Sequence, residues 1–303
     1  MNAVEVNNIV KSYNRGKPQA LRGLSFQVQP GELFGLIGPD GAGKTSLFRI
    51  LTTLLLPDSG AATVLGYDTV KDYKIIRRLV GYMPGRFSLY QDLTVAENIN
   101  FFATVFNTTV AENYHLIKDI YQQIEPFKHR KAGALSGGMK QKLALSCALI
   151  HKPQVLFLDE PTTGVDAVSR KEFWEMLKKL KNQGITILVS TPYMDEASLC
   201  DRVALVQHGT ILDINTPQGI IQNFGKPLWS VRSNDIYRLL NDLRAHDATY
   251  SCYAFGETHH ITLKEDDFPI DIIYQYLQSK RHESIEIQQI KPNIEDCFMA
   301  LME

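Results

Sequence analysis

Apolar and polar positions along the chain fall into three regimes. Up to about residue 90, short apolar runs alternate with turn residues. Residues 4–10 alternate weakly and residues 24–28 cleanly, the latter ended by Pro30-Gly31, which predicts two strands. Residues 31–37 read as a buried strand. Residues 46–51 place Leu47, Ile50 and Leu51 on one helical face, and this helix stops near Pro57-Asp58-Ser59-Gly60. A short strand at 62–65, a helix at 73–79 and a strand at 80–83 follow, the last ended by Pro84-Gly85.

From about residue 90 to 150 the strand signal fades, and helical patterns at 95–106 and 111–124 predict a helical insertion. Strands return at 154–158 and 184–189, flanking a helix at 167–181. A strand–helix–strand unit marks a largely parallel sheet covered on both faces. Beyond a break at Phe224-Gly225-Lys226-Pro227, short strand and helix signals alternate to the end. The expected fold class is α/β, with one large domain over 1–225 and a small C-terminal α+β domain over 226–303.

Composition narrows the function classes. The 303 residues are 44% hydrophobic and 21% charged, ordinary for a soluble globular protein. A net charge of −1 gives no electrostatic footprint for nucleic acid. The longest apolar runs are too short to span a bilayer, so a transmembrane segment is not expected. The N-terminus has no basic-then-apolar signal segment. The four cysteines, Cys147, Cys200, Cys252 and Cys297, form no Cys-x-x-Cys pair, which fits isolated thiols in a reducing compartment.

Chemistry enters at Gly38-Pro39-Asp40-Gly41-Ala42-Gly43-Lys44-Thr45-Ser46, which fits G-x-x-x-x-G-K-[ST], a phosphate-binding loop. Gly41 and Gly43 let the backbone turn tightly against an anion with no Cβ in the way. The amides then face inward at the positive end of the following helix. Lys44 adds a mobile charge for the outer phosphates, and Thr45 offers a hydroxyl to Mg2+. An ordinary Gly-rich turn would not need strand, loop, Lys-Thr and helix together.

Two further runs carry signal. The apolar run Val155-Leu156-Phe157-Leu158 leads straight into Asp159-Glu160-Pro161. Adjacent carboxylates at a strand end point to opposite sides, so Asp159 can hold Mg2+ through water while Glu160 faces an attacking water. Alone, this pair would read as a solvated acidic turn; after a phosphate loop it reads as hydrolytic. In Leu135-Ser136-Gly137-Gly138-Met139-Lys140-Gln141, Ser136 is a good N-cap. Met139, Leu143 and Cys147 follow at helical spacing, and Gly137 and Gly138 leave the helix amides bare, which makes a second anion site. A helix that is merely capped is the plainer alternative.

Together these runs closely resemble the ATP-binding subunit of an ABC transporter, over about residues 4–225. The resemblance implies a phosphate-loop ATPase core with an antiparallel β subdomain and a helical subdomain at about 90–150. It implies ATP and Mg2+, with Tyr13 stacked on adenine and Asp166, in Thr163-Gly164-Val165-Asp166, at a dimer contact. Two such domains would pair head to tail, each ATP lying between one chain's phosphate loop and the other's Ser136-Gly137-Gly138. The partners implied are a second ABC ATPase subunit, as hetero- or homodimer, and a separate membrane permease, at the cytoplasmic face of the cell membrane. The ending Pro292-Asn293-Ile294-Glu295-Asp296-Cys297-Phe298 resembles that of multidrug and antibiotic exporter subunits.

Two positions depart from the family pattern. After Gly81-Tyr82-Met83-Pro84 a glutamine is expected, and the residue is Gly85. After Ile187-Leu188-Val189-Ser190-Thr191 a histidine is expected, and the residue is Pro192, which has neither an ionisable side chain nor an N–H. Positioning and acid–base contacts are worth about 10²–10⁴-fold in rate. The expectation is a degenerate site that binds ATP and hydrolyses it slowly. Two other readings stay open. One is a non-catalytic nucleotide-binding interaction subunit. The other is a soluble ABC ATPase of translation or DNA repair; those tend to carry two cassettes with a basic linker, or a long coiled-coil insertion, and neither is read in this near-neutral sequence.

Overall fold

A computed structural model describes residues 1–13 and 18–302. The polar loop expected over residues 11–16 lies partly outside the described residues. The chain divides into two compact units, 1–217 and 218–303. The sequence break at 224–227 falls a few residues inside the second unit, after a short helix, α7 (Pro217–Gln222).

The first unit opens with an antiparallel sheet. β1 (Val4–Lys11) pairs with β2 (Leu21–Val28) on one side and β4 (Ser59–Val64) on the other, and β5 (Tyr67–Asp68) extends the edge. Between them run β3 (Leu33–Ile37) and α1 (Lys44–Leu51). The second sheet has α2 (Tyr73–Leu79) and β6 (Val80–Met83), then, after the helical insertion, β7 (Val155–Asp159), α6 (Ala167–Asn182), β8 (Thr186–Thr191), β9 (Arg202–Gln207) and β10 (Thr210–Asn215). Its strand order is β10-β9-β3-β8-β7-β6, all parallel except the β9–β10 pair. Every residue of β3, β7 and β8 is buried, as continuous apolar strands in a covered parallel sheet must be. β10 was not legible from its sequence, because every residue is only half buried and a bulge near Asp213 breaks the alternation.

Aromatic packing joins the layers. Phe26 of β2 stacks on Phe34 of β3 at 5.4 Å, tying the two sheets together. Phe48 of α1 meets Phe157 of β7 edge-on at 5.7 Å. Both phenylalanines are fully buried, so the helix after the phosphate loop is fastened to the strand that ends in Asp159.

The insertion holds α3 (Val95–Val105), α4 (Val110–Tyr121) and α5 (Gly137–Leu149). Capping boxes start the first two: Thr94 with Glu97, and Thr109 with Glu112. Hydrogen bonds from Thr94 hold Glu97, and hydrogen bonds from the Thr108 hydroxyl and then Thr109 hold Glu112, below the usual carboxylate range.

The second unit runs β11 (Leu228–Arg232), α8 (Ile236–Ala245), β12 (Thr249–Phe255), β13 (Thr258–Leu263), α9 (Ile270–Ser279), β14 (Glu286–Ile290) and α10 (Ile294–Leu301). The strands pair antiparallel in the order β12-β13-β11-β14. This βαββαβ topology with the first and third strands central is the split βαβ, ferredoxin-like arrangement. Val231, Ile261, Leu239 and Ile273 form its core. The terminal motif closes it: Asn293 and Asp296 make a capping box at the start of α10, and Asp296 also binds His260 of β13 at 2.7 Å.

Candidate functional site

The loop from β3 to α1 is shaped by close backbone approaches. Gly41 and Gly43 have φ of 80° and 105°, in the left-handed region. A Cβ on Gly43 would lie 2.4 Å from the Ala20 carbonyl oxygen, so no side chain fits. No side chain caps α1, which leaves its first-turn amides facing the loop. Lys44 is buried, and its ammonium donates to the carbonyls of Gly38 at 2.7 Å and Pro39 at 3.0 Å. Glu160 Oε1 lies 3.3 Å from the same nitrogen. Asp40 and Pro39 are exposed at the loop's tip, and Ala42 is buried beneath it.

Tyr13, Gly41, Lys44, Thr45, Ser46 and Glu160 border one cavity of 240 Å³. The hydroxyls of Tyr13 and Ser46 share a hydrogen bond of 2.8 Å, and the Tyr13 ring is 53% exposed at the rim. The cradle fits a phosphate chain: it presents helix amides, a buried cation and no Cβ where an anion would sit. An aromatic face at the rim suits a flat base. Thr45 on the cavity wall and the buried Asp159, chain neighbour of Glu160 on that wall, supply hard oxygen donors of the kind Mg2+ takes.

The two carboxylates diverge as expected of strand-end neighbours. Asp159 is buried and accepts a 2.6 Å hydrogen bond from the Ser190 hydroxyl. Glu160 turns to Lys44 with a φ of 50°, uncommon for a residue with a side chain. Burial, and then the Asp159 charge, push the nearby Tyr82 hydroxyl up to about 12.

Ser136, Gly137, Gly138 and Asp166 lie elsewhere, and none of them borders that cavity. Ser136 caps α5 by accepting the Met139 N–H at 3.4 Å. Asp166 caps α6, and the hydrogen bonds from Ser169 hold its carboxyl below the usual range. Gly138 faces Ser169 so closely that a Cβ would come within 2.8 Å of its hydroxyl oxygen. The glycine turn and Asp166 therefore share one exposed edge, presented outward.

Both departures sit beside the carboxylates or the loop. A Cβ on Gly85 would lie 3.0 Å from the Asp159 carbonyl oxygen and 3.7 Å from Glu160 Cβ. A crevice of 150 Å³ opens there, bordered by Gly85, Gly137, Gln141, Glu160 and Gly164. Pro192 follows Thr191, whose carbonyl accepts the Gly38 N–H at 3.2 Å.

Several residues escaped the sequence reading. Glu196 is buried; it accepts the Thr162 hydroxyl at 2.8 Å and the Thr191 hydroxyl, and Arg170 approaches it at 3.7 Å. Arg170 also pairs with Asp195 at 2.9 Å and lies over the Tyr193 ring. This network holds the segment after Pro192 against the start of α6. Ser190 is the other omission. No spacing rule marks either: Ser190 meets Asp159 through the β7–β8 register, and Glu196 meets Thr162 across elements distant in the chain.

A separate groove of 660 Å³ lies beside β6, α3 and α5, lined by Tyr82, Met83, Leu89, Phe102, Phe106 and Cys147 among others. His151 at its wall stacks on Phe106 at 3.8 Å and donates from Nε2 to the Val80 carbonyl at 3.0 Å. Among the described residues, no helix is long and apolar enough to cross a membrane.

A nucleotide-type phosphate loop joined to a strand-end acidic pair, with an exposed glycine turn at a helix start, defines an ATP-binding cassette. The chain belongs to the family of ABC transporter ATP-binding proteins; the family model described as ABC transporter matches residues 21–163. It is 36% identical over 99% of its length to the probable multidrug ABC transporter ATP-binding protein YbhF of Escherichia coli (strain K12), and spans 52% of that protein, about half. It is 32% identical over 99% of its length to the doxorubicin resistance ATP-binding protein DrrA of Mycobacterium tuberculosis (strain ATCC 25618 / H37Rv), covering 93% of it. A solved ATP-binding subunit of an ABC transporter superposes with a TM-score of 0.67 at 27% identity, over 74% of this chain and 93% of that one.

Proposed function

We propose that this chain is the ATP-binding subunit of an ABC exporter, acting with a separate membrane permease at the cytoplasmic face of the membrane. Its own site binds Mg–ATP and hydrolyses it slowly. The observation that carries this reading is the Lys44–Glu160 pair inside a phosphate cradle that has Gly85 and Pro192 at its flanks.

The loop amides and Lys44 bind the phosphates, and Tyr13 packs against the base. Thr45 and Asp159 would hold Mg2+, which would supply charge neutralisation at the phosphate oxygens. Glu160 takes the proton of the attacking water. A glutamine and an imidazole would orient that water and grip the outer phosphate; Gly85 and Pro192 do neither. Ser136, Gly137, Gly138 and Asp166 face outward and act on a partner's nucleotide in a head-to-tail dimer. A partner that carries the missing glutamine and histidine makes the faster site. The apolar groove beside β6 and α3 receives a cytoplasmic segment of the permease. The multidrug and doxorubicin-resistance names of the relatives support the export direction.

Glu160 itself favours residual chemistry over a purely structural nucleotide, because its carboxylate is still aimed at Lys44. Nucleotide binding by the full chain, measured beside its steady-state phosphate release, tests the reading. Tight binding with slow release, lowered further by Glu160→Gln, is the expected result. Absence of Mg–ATP binding would overturn it.

A further inference from the structure

We infer that Ser190 is a positioning residue for both acidic groups, and so sets the affinity of this site for the magnesium of Mg–ATP. The inference rests on the reading of the cradle as a Mg–ATP site. Ser190 lies in β8 opposite Asp159 of β7 in the parallel register, and it is wholly inaccessible to solvent. Its hydroxyl donates to Asp159 Oδ1 at 2.6 Å. Ser190 Oγ also accepts the Glu160 N–H at 3.0 Å, and the Ser190 carbonyl accepts that N–H too, also at 3.0 Å.

The physical demand for this clamp comes from Glu160. Its φ of 50° costs energy for any residue with a Cβ and persists only where the surroundings over-determine it. Here the turn into the left-handed region is what swings the Glu160 side chain from the strand direction towards Lys44. A doubly accepted N–H pins that turn. The hydroxyl proton has one use left: it goes to Asp159, fixing the orientation of a buried carboxylate whose other oxygen would serve the metal side.

One hydroxyl therefore aligns two residues of different duty. Alanine would leave the β8 backbone bond but release Asp159 and weaken the Glu160 turn. Threonine keeps the hydroxyl on nearly the same stem. Cysteine keeps the size of serine but donates and accepts poorly. Partners that orient metal-binding groups are typically worth about 10–100-fold in metal affinity or activity.

The test uses the full chain and a fluorescent ATP analogue, titrated with Mg2+ and, separately, in EDTA. For Ser190→Ala the half-saturating Mg2+ concentration rises about 10–100-fold, while analogue affinity in EDTA stays as in the unaltered chain. Ser190→Thr restores the Mg2+ response. Ser190→Cys shows the same shift as alanine and stands in for it should alanine not fold. Three results overturn the inference: an unchanged Mg2+ response, an equal loss of binding with and without Mg2+, or no rescue by threonine. An unaltered chain that binds the analogue with no Mg2+ response contradicts the Mg–ATP reading itself, a distinct failure.

Discussion

Lys44 Nζ and Glu160 Oε1 stand 3.3 Å apart, across the cavity between the phosphate loop and the end of β7. Glu160 is thus aimed at the cation that would hold the outer phosphates, with no other described acid lining that cavity. The pair gives the two residues separable duties. Lys44→Ala removes a charged hydrogen-bond donor, worth about 1.5–3 kcal/mol, so ATP affinity should fall roughly 10–100-fold. Glu160→Gln should leave affinity near that of the unaltered chain and lower phosphate release. Calorimetric titration beside a phosphate assay reads both.

Gly85 and Pro192 invite restoration. Gly85→Gln must move the Asp159 backbone by a few tenths of an ångström, since a Cβ there lies 3.0 Å from its carbonyl oxygen. Pro192→His changes a half-buried position directly after Thr191, whose carbonyl accepts the Gly38 N–H. The double variant should raise turnover by about 10²–10⁴-fold, with each single change giving less. Single-turnover phosphate release is the measurement.

His151 should make stability depend on pH. Burial holds its imidazole below the ordinary value of 6.5, opposed only in part by the Val80 carbonyl. A folded pKa below the unfolded one means that the unfolded chain binds more protons in between. The contribution is therefore complete above about pH 6.5 and is lost as pH falls through the folded value. Thermal unfolding should show a drop as pH falls below about 6.5 that is smaller in His151→Gln.

Asp296 holds the end of the second unit. It is the third residue of the α10 capping box, accepting the Asn293 N–H at 2.8 Å, and it binds His260 at 2.7 Å. Losing that capping-box hydrogen bond costs about 1 kcal/mol and losing the hydrogen bond between the carboxylate and His260 about 1.5–3 kcal/mol. Asp296→Ala should therefore destabilise that unit by about 2–4 kcal/mol. Denaturant unfolding followed by Trp229 fluorescence, in a chain whose other tryptophan is replaced (Trp174→Phe), checks it.

What could be read in advance was local. Gly38 to Ser46 announces itself because strand, loop and helix are contiguous, and Ser136 before Gly137-Gly138 marks a helix start within three residues. The strands β3, β7 and β8 carry unbroken apolar runs, Leu156-Phe157-Leu158 and Ile187-Leu188-Val189 among them, so the parallel sheet followed. Ser190 and Glu196 were not legible, because their partners lie on other elements: Ser190 meets Asp159 across the β7–β8 register, and Glu196 meets Thr162 over the end of β8. β10 hid behind its half-buried edge. The ferredoxin-like order of the second unit depends on which strands pair, which alternation alone does not specify.

The central claim is that this site holds ATP and turns it over slowly for want of two side chains. Steady-state phosphate release by the purified chain alone, at saturating Mg–ATP, addresses it most directly. The account requires bound nucleotide with slow release, accelerated by Gly85→Gln with Pro192→His. Release at the rate of an ordinary transporter ATPase, abolished by Glu160→Gln, would contradict it.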